Sequence, residues 1–97
     1  IGRWYMSVEE QFRQFLDINP HKPRVEEVRI KGYCVPIWAL VGYAPGVDHD
    51  LRRVAEDYAL PYEAVVVAFA WYERFRGEID FRIRQNSDDL AVVELLG

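Results

Sequence analysis

The chain predicts a small, mostly α-helical domain of the helix-turn-helix type, homeodomain-like or winged-helix-like, with one short β-hairpin. Three observations carry this. Leu51, Val54, Ala55 and Tyr58 recur at i, i+3, i+4 and i+7, the signature of a helix with a single apolar face. Leu60-Pro61-Tyr62 then interrupts the chain before a second apolar run, Ala64 to Tyr72; two helices across a tight turn make the helix-turn-helix frame. Upstream, Val28 and Ile30 alternate with Arg29 and Lys31 ahead of Gly32, the two-residue period of strands near a turn.

Taken in order, Ser7 to Ile18 reads as a first helix. Ser7 and Glu10 form a capping box, and Val8, Phe12, Phe15 and Leu16 share a face. Asn19-Pro20-His21-Lys22-Pro23 ends it, because proline cannot continue a helix. Arg24 to Val35 reads as two short strands turning near Gly32. Pro36 opens a short helix, Ile37 to Gly42, where its missing N–H costs nothing. Asp48 is the expected N-cap of the next helix. The helix that Pro61 opens is expected to run to about Arg76 and stop at Gly77. Ile79, Phe81 and Ile83 suit a strand or a helix equally. Gln85 to Asp89 is polar and able to cap a last segment, Leu90 to Leu96. The chain therefore divides into an N-terminal helix and loop (1–27), the helix-turn-helix-like part (28–84) and a C-terminal segment (85–97).

Composition narrows the function classes. With 51% apolar and 14% aromatic residues in 97, the chain belongs with globular domains rather than low-complexity disorder. A chain this short covers so much apolar surface most readily as a homodimer or with a permanent partner. The net charge of −4 counts against a dedicated nucleic-acid binder, whose affinity comes largely from neutralising phosphates. The lone Cys34 allows no internal disulfide and fits a reducing cytoplasm. No apolar run reaches the length of a membrane span. The chain opens on Ile1, so Met6-Ser7 suggests an original start with a leader before it, although the middle of a longer protein reads equally well.

Catalytic and metal-binding patterns are missing from the sequence. His21 and His49 have no second ligand at zinc-like spacing. Adjacent acidic pairs such as Glu26-Glu27 and Asp88-Asp89 diverge on a helix or strand, so they make no general acid/base pair. There is no glycine-rich phosphate loop. The expectation is no enzyme activity, no cofactor and no small-molecule substrate.

In VRIKGYCVPIWALVGYAPG followed by LRRVAEDYALPYEAVVVAFAWY, the chain resembles a bacterial and archaeal family catalogued as domain of unknown function 433. The matching positions include Ile30, Gly32, Val35, Pro36, Ile37, Gly46, the Glu56-Asp57-Tyr58 stretch, Leu60, Glu63, Ala64, Ala68 and Tyr72, over roughly residues 28 to 83. After the glycine the family usually carries Thr-Arg, where this chain has Tyr33-Cys34, so an arginine contact made there by relatives is missing. The resemblance also favours helix for the ambiguous segment around Glu78-Ile79-Asp80. It implies a VapB-like antitoxin of a type II toxin–antitoxin pair, which neutralises a PIN-like ribonuclease toxin and represses its own operator DNA as a dimer.

Candidate residues follow from both readings. Val65, Val66, Phe69, Trp71, Tyr72 and Phe75 are expected to make core and dimer or partner interface, since base edges and phosphates need donors and acceptors that they lack. Arg52, Arg53, Arg74, Arg76, Arg82 and Arg84 are the candidate DNA contacts, with Lys22, Arg24, Arg29 and Lys31 as a second basic group. Leu90, Val92, Val93 and Leu95, behind Asp88-Asp89, are the candidate toxin contacts. A DNA-binding regulator without a toxin, and an interaction module that has lost DNA binding, are the alternatives.

Overall fold

The computed structural model describes residues 7–19, 21 and 24–96, with side chains as far as Ser87. The suggested start at Met6, its leader, and Lys22 lie outside the described residues. The chain is mostly helical, with a two-stranded antiparallel pair. Its elements are α1 (Val8–Phe15), β1 (Leu16–Asp17), β2 (Arg29–Ile30), α2 (Ile37–Tyr43), α3 (Leu51–Tyr58), α4 (Tyr62–Arg74) and α5 (Arg76–Leu96).

Ser7 caps α1 as expected: its side chain accepts from the Glu10 N–H at 3.1 Å. The helix ends earlier than its periodicity suggests. Leu16 turns extended and becomes the first residue of β1. The hairpin expected within residues 24–35 is therefore corrected. Val25–Glu27 is a 3-10 turn, and the partner of β2 is β1, with Leu16 opposite Ile30 and Asp17 opposite Arg29. The expected turn does form at Gly32, whose φ of +84° suits glycine. It returns Val35, whose carbonyl accepts from the Ile30 N–H at 2.8 Å. The returning chain also bridges β2 on its other edge, Arg29 opposite Pro36, with the Ile37 N–H donating to the Val28 carbonyl at 3.0 Å. The ladder proper forms with β1, where Leu16 and Ile30 lie opposite one another in the core, each 1% exposed.

Asp50, not Asp48, caps α3. Its carboxylate accepts from the Arg52 and Arg53 N–H groups at 3.0 and 3.3 Å. Asp48 sits in the left-handed region at φ 56°, closing the 3-10 turn Ala44–Val47, a conformation that aspartate tolerates better than most residues. Asp50→Ala is therefore expected to cost about 1 kcal/mol, with Asp48→Ala costing less; urea melts of both variants check the order.

Helices α3 and α4 are joined by Ala59, Leu60 and Pro61 in a tight turn. Ala59 is left-handed at φ 54°, and Leu60 is buried under the corner. Helix α4 stops at Arg74 rather than Arg76. Phe75 breaks the ladder at φ −123°, ψ 40°, and Gly77 lies inside the first turn of α5. Residues 78–86 are helical, and α5 runs unbroken through Gln85–Asp89.

One core takes residues from nearly every element: Phe12, Leu16, Ile30, Ile37, Leu40, Val54, Val65, Ala68, Trp71 and Ile79. Because Phe12 and Leu16 share that core with α4, α1 and β1 are part of the same packed unit as residues 28–84.

Candidate interaction surface

Helix α4 follows α3 across the tight turn, and its apolar sequence is explained by what surrounds it. It packs against α1, α2 and α3 together. Ala64, Val65, Val67, Ala68 and Trp71 are thereby buried. Trp71 is fixed from several sides. Its indole N–H donates to the Val25 carbonyl at 3.1 Å, its ring meets Phe12 edge-on at 5.0 Å, and Phe75 lies 4.6 Å away.

The expectation that Val65 and Trp71 anchor an interface is corrected by this burial. At 0% and 6% exposure they are used up inside their own chain. Phe69, Tyr72 and Phe75 are half-buried against the same core. Of the six expected interface residues, Val66, 39% exposed, is the one fully turned outward. The exposed residues of α4 are Tyr62, Glu63, Val66, Ala70, Glu73 and Arg74.

The arginines proposed for DNA are distributed among different neighbours. Arg53 pairs with Asp57 at 3.0 Å, Arg74 with Glu9 at 3.1 Å, Arg76 with Glu73, and Arg82 with Glu27 at 2.7 Å. Arg52 lies 4.1 Å over the Tyr62 ring, Arg74 also covers Phe12, and Arg82 covers Trp38 at 4.4 Å. Arg84 is exposed. The surface ion pairs add little stability singly, but each sets a carboxylate beside a guanidinium and offsets the field a phosphate would meet. At the α3 corner, the hydroxyl of Tyr43 and then the Arg53 guanidinium hold the Asp57 carboxyl below its usual range.

Beside α4 lies a groove of about 430 Å³ lined by Val41, Phe69, Tyr72, Ile83, His49 and Asp80, among others. The Tyr72 hydroxyl donates to Asp80 Oδ1 at 2.8 Å. Burial first, and that bond second, push the phenol above its usual value. Tyr43 is raised too, by its hydrogen bond to Asp57, so an alkaline absorbance titration should show two phenols ionising above about pH 10, one of them lost in Tyr72→Phe and lowered in Asp80→Asn. Because the folded pKa is raised, its stabilising contribution is complete below the unfolded value. It is lost as pH rises through the folded one.

Among the described residues, no three His, Cys, Asp or Glu side chains are grouped to hold a metal ion. No described helix is long and apolar enough to cross a membrane. Leu90, Val92, Val93 and Leu95 continue the backbone of α5, while their side chains lie outside the described residues. The exposure of Phe81 and the seating of Arg52 on Tyr62 escaped the sequence reading. The first would have followed from taking residues 78–86 as helix, which sets Phe81 opposite Ile79 and Ile83. Compared with protein-family models, curated proteins and solved structures, the chain matches none.

Proposed function

We propose that this chain is a protein-binding module of the antitoxin kind, acting on a PIN-like ribonuclease by direct contact rather than by reading DNA sequence. The observation that carries this is the exposed side of α4: Tyr62, Glu63, Val66, Ala70, Glu73 and Arg74. A helix entering the major groove needs donors and acceptors aimed at base edges, and cations toward phosphates. This side has one phenol, two small or branched apolar residues, two carboxylates and one guanidinium, Arg74, which is held by Glu9. Its apolar residues suit a protein surface, and its single guanidinium is already held by a carboxylate.

The ribonuclease partner comes from the family resemblance, and the contact is assigned to the C-terminal half of α5. Leu90, Val92, Val93 and Leu95 are the apolar residues taken to make it. They would enter an apolar groove of the toxin, with Asp88 and Asp89 at its rim.

The test is co-expression with a small ribonuclease encoded in the neighbouring reading frame. The chain should restore growth and co-purify with the enzyme. Leu90→Asp with Val93→Asp should lose both effects while keeping the far-ultraviolet circular dichroism of the parent. A chain that neither binds nor rescues against such an enzyme contradicts the reading.

A further inference from the structure

The groove beside α4 owes part of its space to a side chain that the sequence omits. Gly42 stands in the last turn of α2, and its φ is not positive, so the backbone does not call for glycine. Glycine weakens a helix relative to alanine. Packing does not call for it either. A Cβ on Gly42 would meet Cγ2 of Ile83 at 3.9 Å, an ordinary contact. What the missing side chain leaves is room. Gly42 lines the groove of about 430 Å³ together with Val41, Phe69 and Ile83, a volume in the range of small-molecule sites.

The charges around this groove do not cancel. Arg76 donates to Glu73 and lies 4.9 Å over the Tyr72 ring. Among the carboxylates that raise Arg76, Glu73 is the stronger and Asp80 the weaker. Asp80 is half-buried and accepts from the Tyr72 hydroxyl through Oδ1, at 2.8 Å. That bond holds the carboxylate at the groove wall. Its second oxygen, Oδ2, receives no hydrogen bond from the described residues. Phe69 and Tyr72 meet edge-on beside it, 6.4 Å apart. A carboxylate with a free oxygen, next to aromatic rings and over an aliphatic floor, recognises an ammonium on an apolar body. The carboxylate takes the N–H groups, the rings attract the cation, and the floor covers the carbon chain.

We propose that this groove binds a small organic cation, a protonated primary amine carried on an alkyl or arylalkyl group. Oδ2 of Asp80 accepts from the ammonium, and the apolar body lies over Val41, Phe69 and Ile83 in the space left at Gly42. An anion is disfavoured, because two carboxylates, Glu73 and Asp80, stand against one guanidinium, Arg76. The lining comes from α2, α4 and α5 around one volume of ligand size. The occupant is therefore a free amine rather than a protein segment, which needs a more extended surface. The site does not depend on the toxin reading.

Isothermal titration calorimetry on the full chain is the experiment, with butylammonium, hexylammonium and phenethylammonium as probes. Hexylammonium and phenethylammonium should bind saturably, one per chain. The neutral counterpart 2-phenylethanol should bind at least about tenfold more weakly, and 3-phenylpropanoate not at all. Asp80→Asn should weaken the ammonium probes at least about tenfold and leave 2-phenylethanol unchanged. Gly42→Leu should block every probe by filling the groove, without altering its charge. Both variants should keep the far-ultraviolet circular dichroism of the parent, and Asp80→Asn decides the question alone if Gly42→Leu fails to fold. Acetyl-lysine methylamide, which carries the same four-carbon ammonium as butylammonium on a peptide unit, should bind no more tightly than butylammonium. No saturable binding of any ammonium probe overturns the proposal. So does equal affinity for phenethylammonium and 2-phenylethanol, or an ammonium affinity unchanged in Asp80→Asn. Tighter binding of acetyl-lysine methylamide overturns the free amine in favour of a lysine side chain.

Discussion

Trp71→Ala is expected to remove about 3–5 kcal/mol of folding stability, a large share of the roughly 5–15 kcal/mol available to a small domain. Two effects add. The indole fills the space between Phe12 and Phe75, so truncation leaves a cavity lined by aromatic edges. Its N–H donates to the Val25 carbonyl, which ties the 3-10 turn before β2 to α4, and truncation strands that carbonyl in a part-buried site. Trp71→Phe separates the two: it keeps most of the ring and loses the donor, and should cost about 1–2 kcal/mol. Urea unfolding measures both. If Trp71 were an interface anchor, Trp71→Ala would leave monomer stability untouched and change only the oligomer mass.

Ile79→Asp is the second large effect. Ile79 is fully buried where α5 meets the core, and a carboxylate there would have no partner. Burial of an unpaired charge costs several kcal/mol even after the group neutralises itself. The domain should therefore unfold or release α5, with a loss of at least about 3 kcal/mol. Two residues away, Phe81→Asp changes an exposed position and should leave the melting temperature within a few degrees. The contrast between neighbours tests the placement of α5. Had residues 78–84 been a strand, Ile79 and Phe81 would share a face and the two variants would behave alike.

That pair also shows what the sequence could and could not reveal. Helices α3 and α4 were legible because Leu51, Val54, Ala55 and Tyr58 repeat at one period, and because Pro61 fixes where the next helix starts. The segment around Ile79, Phe81 and Ile83 was ambiguous because steps of two and four fit a strand and a helix alike; only the contact with α2 decides. The partner of β2 was unreadable locally. Arg29 and Ile30 pair with Leu16 and Asp17, a long-range choice made by burying Leu16 against Ile30. The expected α3 cap falls two residues early because Asp48 and Asp50 are equally good caps by type, and the preference of aspartate and histidine for the left-handed turn at Asp48 and His49 is too weak to choose between them.

For the candidate surface, the apolar character of α4 matches its burial in the core. It could not divide core from surface, because α1 and α2 add a second buried side to the helix. Thus Val65 and Trp71 face inward while Val66 faces out. The arginines looked like a basic group in one dimension. Glu9 and Glu27, distant in sequence, supply partners for Arg74 and Arg82, and no local pattern announces such pairs.

The most direct measurement is fluorescence anisotropy of a labelled random-sequence duplex titrated with this chain at about 50 mM and about 200 mM salt. The account predicts no saturable rise at either salt, because the exposed stripe of α4 carries Glu63 and Glu73 and most of the candidate arginines face carboxylates. A saturable rise at low salt that weakens steeply at the higher one, and that disappears in Arg52→Ala with Arg53→Ala, would contradict it. In that case α3 and α4 would be a DNA-binding unit.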